Sequence, residues 1–362
     1  VIAFSYSIFS EINSIYLVVF IVAMSIAHVF IDFIPSVFLG CPDTDTELSV
    51  LPGHEMLKQG FGFQAVFLTA LGGIIGIIIF VLISFPFILI IQKIYNIIKF
   101  LVPYILIIIS LTVIFSEEKK FSALFAFLLT GFLGVCVLNL SLKEPLLPLL
   151  TGLFGASTLI LSISSKTKIP EQKIQEKTKT KIFKPIFGAV IASPLSIVLP
   201  ALGSGQIAVI GNQFSRTDRK GFLILLGATN ILTMCFSFLA LYTISKTRTG
   251  SAVAIENLIG IPEKNVFILI ISVIFLSGII AFFLTKFLSK QFIKLLEKVN
   301  YTKLSIAILI FLVIIISVFS GLIGLIVFIV SSLTGIYCIS LKVKRTNMMG
   351  CLLIPTIIFY LF

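Results

Sequence analysis

Apolar residues run unbroken along this chain rather than alternating with polar ones. Spans are expected at 15–39, 61–92, 98–116, 121–141, 146–164, 221–245, 264–286, 304–319, 323–341 and 347–361. Each is close to the ~20 apolar residues that cross a hydrocarbon core as a helix. Barrel strands need period-two alternation, which is missing here. The pattern predicts an all-α polytopic membrane protein with about ten transmembrane helices. The 61–92 run is too long for one upright helix and is expected to tilt or kink near Pro86. A further apolar stretch, 186–212, is interrupted by Pro194, Pro200, Gly203 and Gly205. It reads as a re-entrant hairpin, because non-helical backbone at membrane depth must line a cavity or be buried in protein.

Composition supports this picture. Hydrophobic residues make up 58% against 12% charged, with a mean hydropathy of +1.19, more apolar surface than a soluble core hides. The net charge of +12 would suggest nucleic acid in a soluble protein. Here Lys and Arg cluster in short loops, so the charge reads as topology and no nucleic-acid partner is expected. Five scattered cysteines without CxxC pairs support neither a disulfide framework nor structural zinc.

The stretch 165–184 holds seven Lys and two Glu, too charged for lipid. It reads as a solvated cytoplasmic linker between a first membrane repeat (1–164) and a second (185–362). Crossings counted from that linker place Ser215–Lys220, Lys286–Lys303 and Lys342–Arg345 inside, as the positive-inside bias requires, whereas the loop near Lys93 and Lys99 falls outside. On this count 15–39 and 221–245 cross in opposite directions. Both have a polar residue early, an apolar run and then a Thr/Ser-rich break, which suggests an inverted repeat.

Two breaks carry candidate chemistry. In the polar island Gly40–Gly60, Cys41-Pro42 stops one helix. Asp43, Thr44, Asp45, Thr46 and Glu47 then offer oxygens that either cap the next helix or hold a sodium ion or coupling proton. In the second break Pro200 ends a helical half, Gly203-Ser204-Gly205 permit tight turns, and the next half-helix begins near Gln206. Its free N–H groups and positive dipole end suit a carboxylate; a Gly-rich packing contact is the competing reading. His28 and Asp32 lie four apart on one helical face, and Asp32 is an acid well inside an apolar segment. Asp32 is either an ion site or a structural hydrogen-bonding group. Thr229 and Asn230, early in the matching span, offer neutral oxygens or helix packing.

Enzyme motifs fail on the letters. His54-Glu55-Met56-Leu57-Lys58 has Lys where a zinc protease needs its second His. Gly203-Ser204-Gly205 has no downstream His to serve as base, a second intramembrane Asp is missing, and so is a phosphate-cradling GxxxxGK[ST] loop.

Three stretches, Phe33–Thr69, Leu199–Ile210 and Ala228–Ile255, resemble the permease (large membrane subunit) of the tripartite tricarboxylate transporter family, closest to its shorter archaeal-type branch. The resemblance implies a secondary transporter in the cytoplasmic membrane, with inverted repeats and paired hairpins, taking up carboxylates on an ion gradient. It implies a small membrane subunit and a solute-binding protein as partners, with a homodimer open. By resemblance Asp43, Thr44, Asp45 and Thr46 match the first motif. Pro200, Gly203, Ser204, Gly205 and Gln206 match the second hairpin, though Pro200-Ala201 stands where the family has Pro-Gly. The family's first Pro-Gly hairpin would precede Val1, so a missing N-terminal segment is expected.

The combined expectation is a non-enzymatic carrier for a di- or tricarboxylate-like anion, coupled to sodium or protons. Its substrate residues would be Thr44, Thr46, Pro200, Gly203, Ser204, Gly205, Gln206 and Asn230. Its ion residues would be Asp43, Asp45, Asp32 and His28, and no cofactor is expected beyond the coupling ion. The alternative is a lipid-processing or lipid-flipping protein, which would need basic residues at headgroup depth beside a lateral opening.

Overall fold

A computed structural model describes residues 13–39, 50–164, 170–176, 180–198, 203–296 and 301–361. The ordered elements are helical throughout. The first half contains α1 (Ser14–Ile31), α2 (Phe33–Leu39), α3 (Val50–Lys58), α4 (Gly62–Phe115), α5 (Lys120–Leu138), α6 (Leu146–Leu150) and α7 (Ser157–Ser164), the last two joined by a π-turn at Thr151–Ala156. The second contains α8 (Phe183–Ala192), α9 (Leu195–Val198), α10 (Ser204–Ser215), α11 (Arg219–Ile244), α12 (Gly250–Ile259), α13 (Lys264–Leu296) and α14 (Tyr301–Ser340). A 3₁₀ turn at Arg345–Met349 leads into α15 (Gly350–Leu361).

Among the described residues seven helices are long and apolar enough to cross a membrane, fewer than the expected ten. The difference has three local causes. The spans expected at 61–92 and 98–116 are one continuous 54-residue helix, α4, with Pro86 and Pro103 inside it. Gln92–Lys99 carries two lysines but no Gly or Pro, so nothing in the backbone stops the helix there. The span expected at 347–361 is the short helix α15, only 12 residues long after the 3₁₀ turn. The pair expected at 304–319 and 323–341 is continuous in α14 except at Gly321, whose φ of 66° and ψ of −163° turn the chain sharply. A Cβ on Gly324 would lie 3.5 Å from the Ile316 side chain. Eight residues of straight helix rise about 12 Å, so the two arms fold back on each other.

Helix α11 is the hub: 89% of its most apolar window is buried, against 17% for α14 at the periphery. Small residues let its backbone touch that of α4. A Cβ on Gly72 would strike the Ile224 carbonyl oxygen, and one on Gly227 the Thr69 carbonyl oxygen. In lipid, where apolar tails compete equally for apolar side chains, such close approach is what holds helices together. Phe80 meets Phe236 edge-on at 5.7 Å on the same seam.

The contact register fixes directions. Gly72 faces Ile224, Gly76 faces Ala228 and Phe80 faces Phe236, so α4 and α11 run parallel. Gly278 lies near Ile26 and Phe292 stacks on Phe38 at 5.6 Å, so α13 runs parallel to α1–α2. Gly73 abuts Phe30 while Gly62 abuts Phe38, so α4 runs against α1–α2. It follows that α1–α2 and α11 run in opposite directions. Each is followed by a short helix (α3, α12), a glycine at positive φ (Gly60 at 84°, Gly260 at 68°) and a long helix (α4, α13).

The linker does more than float. Gln172 is buried: its Oε1 accepts from the Gly62 N–H at 2.9 Å and its Nε2 donates to the Leu57 carbonyl at 3.0 Å. This ties the α3–α4 turn to the segment between the two halves. A hydrogen bond from Lys286 at 2.9 Å holds the Glu176 carboxyl below its usual range.

Candidate functional site

Helices α8 and α10 form an antiparallel hairpin. Gly188 and Gly211 cross so closely that a Cβ on either would lie 2.6 or 2.7 Å from the other's carbonyl oxygen. Residues 183 and 215 therefore leave the hairpin at one face of the molecule, the face where α11 begins. Asp218 starts α11 by accepting from the Gly221 N–H at 3.0 Å, and Arg216 at φ 45° makes the reversal. Asn212 Oδ1 accepts from both the backbone N–H and the hydroxyl of Thr217, at 3.0 and 2.7 Å.

That geometry sets the depth of the hairpin's inner end. Twelve residues of α10 climb about 18 Å, and the 26 residues of α11 about 39 Å. Packed antiparallel, the Ser204 end of α10 reaches the middle of α11, the level of Thr229 and Asn230. Gly73 spans the same level from α4, with Phe30 on one side and Ile231 on the other, so Asp32 lies near this depth too.

Gly203 caps α10 with extended backbone, and Ser204, Gly205 and Gln206 are buried in its first turn. Both amide atoms of Gln206 are buried with no hydrogen-bond partner, as are the hydroxyls of Ser196, Thr229 and Thr233. Many buried hydroxyls elsewhere bond back to the carbonyl four residues earlier, as Thr130, Ser193, Ser289 and Thr356 do, whereas Thr285, Ser305 and Ser331 are also without a partner. Four of these unpartnered polar groups lie on α9, α10 and α11, the helices around the hairpin's inner end, and buried polar groups without a partner call for an explanation.

Gln206 lines a narrow crevice with Ile109, Val113, Val209 and Met349. Val113, Val209 and Thr346 also line a neighbouring cavity of about 450 Å³. That cavity shares Asn212, Thr217, Phe222, Lys344 and Thr346 with another of about 360 Å³. The cations Arg216, Arg219, Lys344 and Arg345 line this mouth. Arg219 pairs with Glu55 at 2.7 Å, and Arg345 Nη1 donates to Thr158 Oγ1 at 2.6 Å.

The expected residues divide accordingly. Gly203, Ser204, Gly205, Gln206 and Asn230 share one depth. Asp43, Thr44, Asp45, Thr46 and Pro200 lie outside the described residues. Asp32 is half-buried, and it sits at the turn between α1 and α2 rather than inside a continuous helix. Its N–H donates to the His28 carbonyl at 3.0 Å. His28 itself is exposed on the outer face. Ser196, Thr233, Asn212, Glu55 and Arg345 were not anticipated. Thr233 falls one helical turn after Thr229, a spacing that marks it in the sequence. Arg345 was absorbed into the topology count of basic loops. His54, set aside with the failed zinc motif, is buried with Nδ1 3.2 Å from the Val37 carbonyl oxygen, and burial first, then Lys58, lowers its pKa to about 4. Among the described residues, no group of three or more His, Cys, Asp or Glu side chains is placed to hold a metal ion.

Apolar helices of this number and length, around an internal hairpin, define a multi-pass membrane protein. The chain belongs to the Tripartite tricarboxylate transporter TctA family, which it matches over residues 1–350, and so is placed among transporter permeases. It is also 32% identical over 353 residues to an uncharacterized protein of Methanocaldococcus jannaschii, covering 94% of this chain and 88% of that one. No solved structure matches it.

Proposed function

We propose that the protein is a secondary carrier for a di- or tricarboxylate-like anion, working by alternating access around the inner end of the α8–α10 hairpin. The observation that carries this is Gln206: an amide with both ends buried and unpartnered, level with the middle of α11, in a narrow crevice that shares its wall with a cavity at the basic face. The α10 N-terminus adds N–H donors and a positive dipole end for a carboxylate, with Ser204, Asn230 and Thr229 at the same level. The opposed directions of α1–α2 and α11, and the repeated order of span, short helix, left-handed glycine and long helix, support an inverted repeat. In that scheme the first half supplies the cation site from Asp32 with Asp43 and Asp45, so that sodium or a proton is bound beside the anion. Membership of the family supports a small membrane subunit and a solute-binding protein as partners.

Uptake of labelled di- and tricarboxylates into proteoliposomes is the test. An imposed sodium or proton gradient should drive uptake, and uptake unchanged with both gradients collapsed removes the coupling. Gln206→Leu should abolish uptake. It should also raise the melting temperature of the ligand-free protein, because an unpaired buried amide costs about 1–3 kcal/mol. Normal uptake by that variant would refute the hairpin site.

A further inference from the structure

The basic mouth has features that the carrier reading does not use. Arg345 stands at the start of the 3₁₀ turn, its guanidinium fixed by the 2.6 Å bond to Thr158 on α7. A guanidinium has five N–H donors in a rigid plane, and this bond takes one. Lys344 and Arg216 line the same space from the neighbouring residue and from the α10–α11 turn, with Asn212 beside them. Of the acids near the mouth, Glu55 pairs with Arg219 at 2.7 Å and also attracts Arg345, Asp218 caps the α11 N-terminus, and Glu117 lies 3.4 Å from Lys344, so the four cations Arg216, Arg219, Lys344 and Arg345 outnumber three acids. A concave wall lined by surplus cations concentrates field and draws multivalent anions. A planar guanidinium pinned on one side offers its other edge for two parallel bonds to a carboxylate or phosphate.

We propose that this mouth is a second anion site, distinct from the hairpin, that binds an oxyanion of two or more negative charges with Arg345 as anchor, Arg216 as a second contact and Lys344 shared between the anion and Glu117. Its occupant bridges the α10–α11 turn and the 3₁₀ turn. An anion abundant on that side therefore holds these two elements together, so that it acts as a brake on turnover. The binding claim stands without the carrier reading; only the brake rests on it.

The shared chemistry, a multivalent oxyanion, has two sources: a free solute or a lipid phosphate. Purified protein in detergent should be titrated with inorganic phosphate and with citrate by calorimetry, and separately placed in nanodiscs with and without phosphatidylglycerol for melting. Arg345→Gln should weaken binding roughly tenfold or more, the scale of losing a charge-assisted pair. Arg345→Lys should recover only part of it. Glu55→Gln removes a negative charge from the wall and should tighten binding, a gain that misfolding does not mimic. Gln206→Leu should leave this binding in place even where uptake is lost. Arg345-dependent binding in detergent identifies a free anion, and Arg345-dependent stabilisation seen only with phosphatidylglycerol identifies a headgroup. Affinity for either probe that is indifferent to Arg345 and Glu55 substitution, together with no lipid effect, overturns the proposal.

Discussion

Single side chains here show which polar groups the fold can tolerate and which it holds for a ligand. His54 belongs to the first kind, since α3 buries it and it lines none of the described cavities. Its folded-state pKa, about 4, lies below the unfolded value near 6.5. Between those two values the unfolded chain binds the proton and the folded one does not, so stability rises with pH across that window and is level above it. The melting temperature in detergent should therefore fall as pH drops from 6.5 to 4, and His54→Gln should flatten the curve. An unchanged slope would place the titrating group elsewhere. Gln206 belongs to the second kind under the proposed function, which makes its unpartnered amide a trade of stability for binding.

At the scale of elements, glycine serves two separate ends, and substitution separates them. Gly72 lies where α4 and α11 touch, so Gly72→Leu drives a side chain into the Ile224 backbone. Overpacking of this kind costs about 1–3 kcal/mol or more. Gly321 has nothing within 4 Å of a would-be Cβ, but its φ of 66° and ψ of −163° lie in a region reserved for glycine. Gly321→Ala should lower stability through backbone strain alone, by about 1–3 kcal/mol. Melting curves of the two variants should both shift down; a neutral Gly321→Ala would mean the α14 turn relaxes freely. The α14 turn and the α8–α10 hairpin were legible in the sequence, because Gly and Pro break apolar runs in ways hydropathy exposes. The continuity of α4 through Gln92–Lys99 was not, because lysines suggested a loop where the backbone had no reason to stop. The basic mouth was also hidden. Its cations come from positions more than a hundred residues apart, and a loop count weighs each by charge, not by neighbours.

At the scale of the molecule, the direction of each helix follows from contacts far apart in sequence. The Glu55–Arg219 pair puts α3 and the start of α11 at one face. Since α1–α2 runs against α11, Asn13 lies at the other. Single cysteines introduced at Asn13 and Arg219, in a background without the native cysteines, should be labelled by an impermeant thiol reagent from opposite sides of the membrane. By the positive-inside bias, labelling of Arg219→Cys is expected from the cytoplasmic side. Labelling of both from one side would dismantle the opposed arrangement on which the carrier scheme rests.

The touching backbones of Gly188 and Gly211 leave no slack between the arms they join. Such an element cannot open like a clasp; it can only be displaced as a solid wedge, carrying Ser204 and Gln206 with it at constant spacing. Any rearrangement of this element must then be sought in sliding against α11, not in any splaying of the wedge itself.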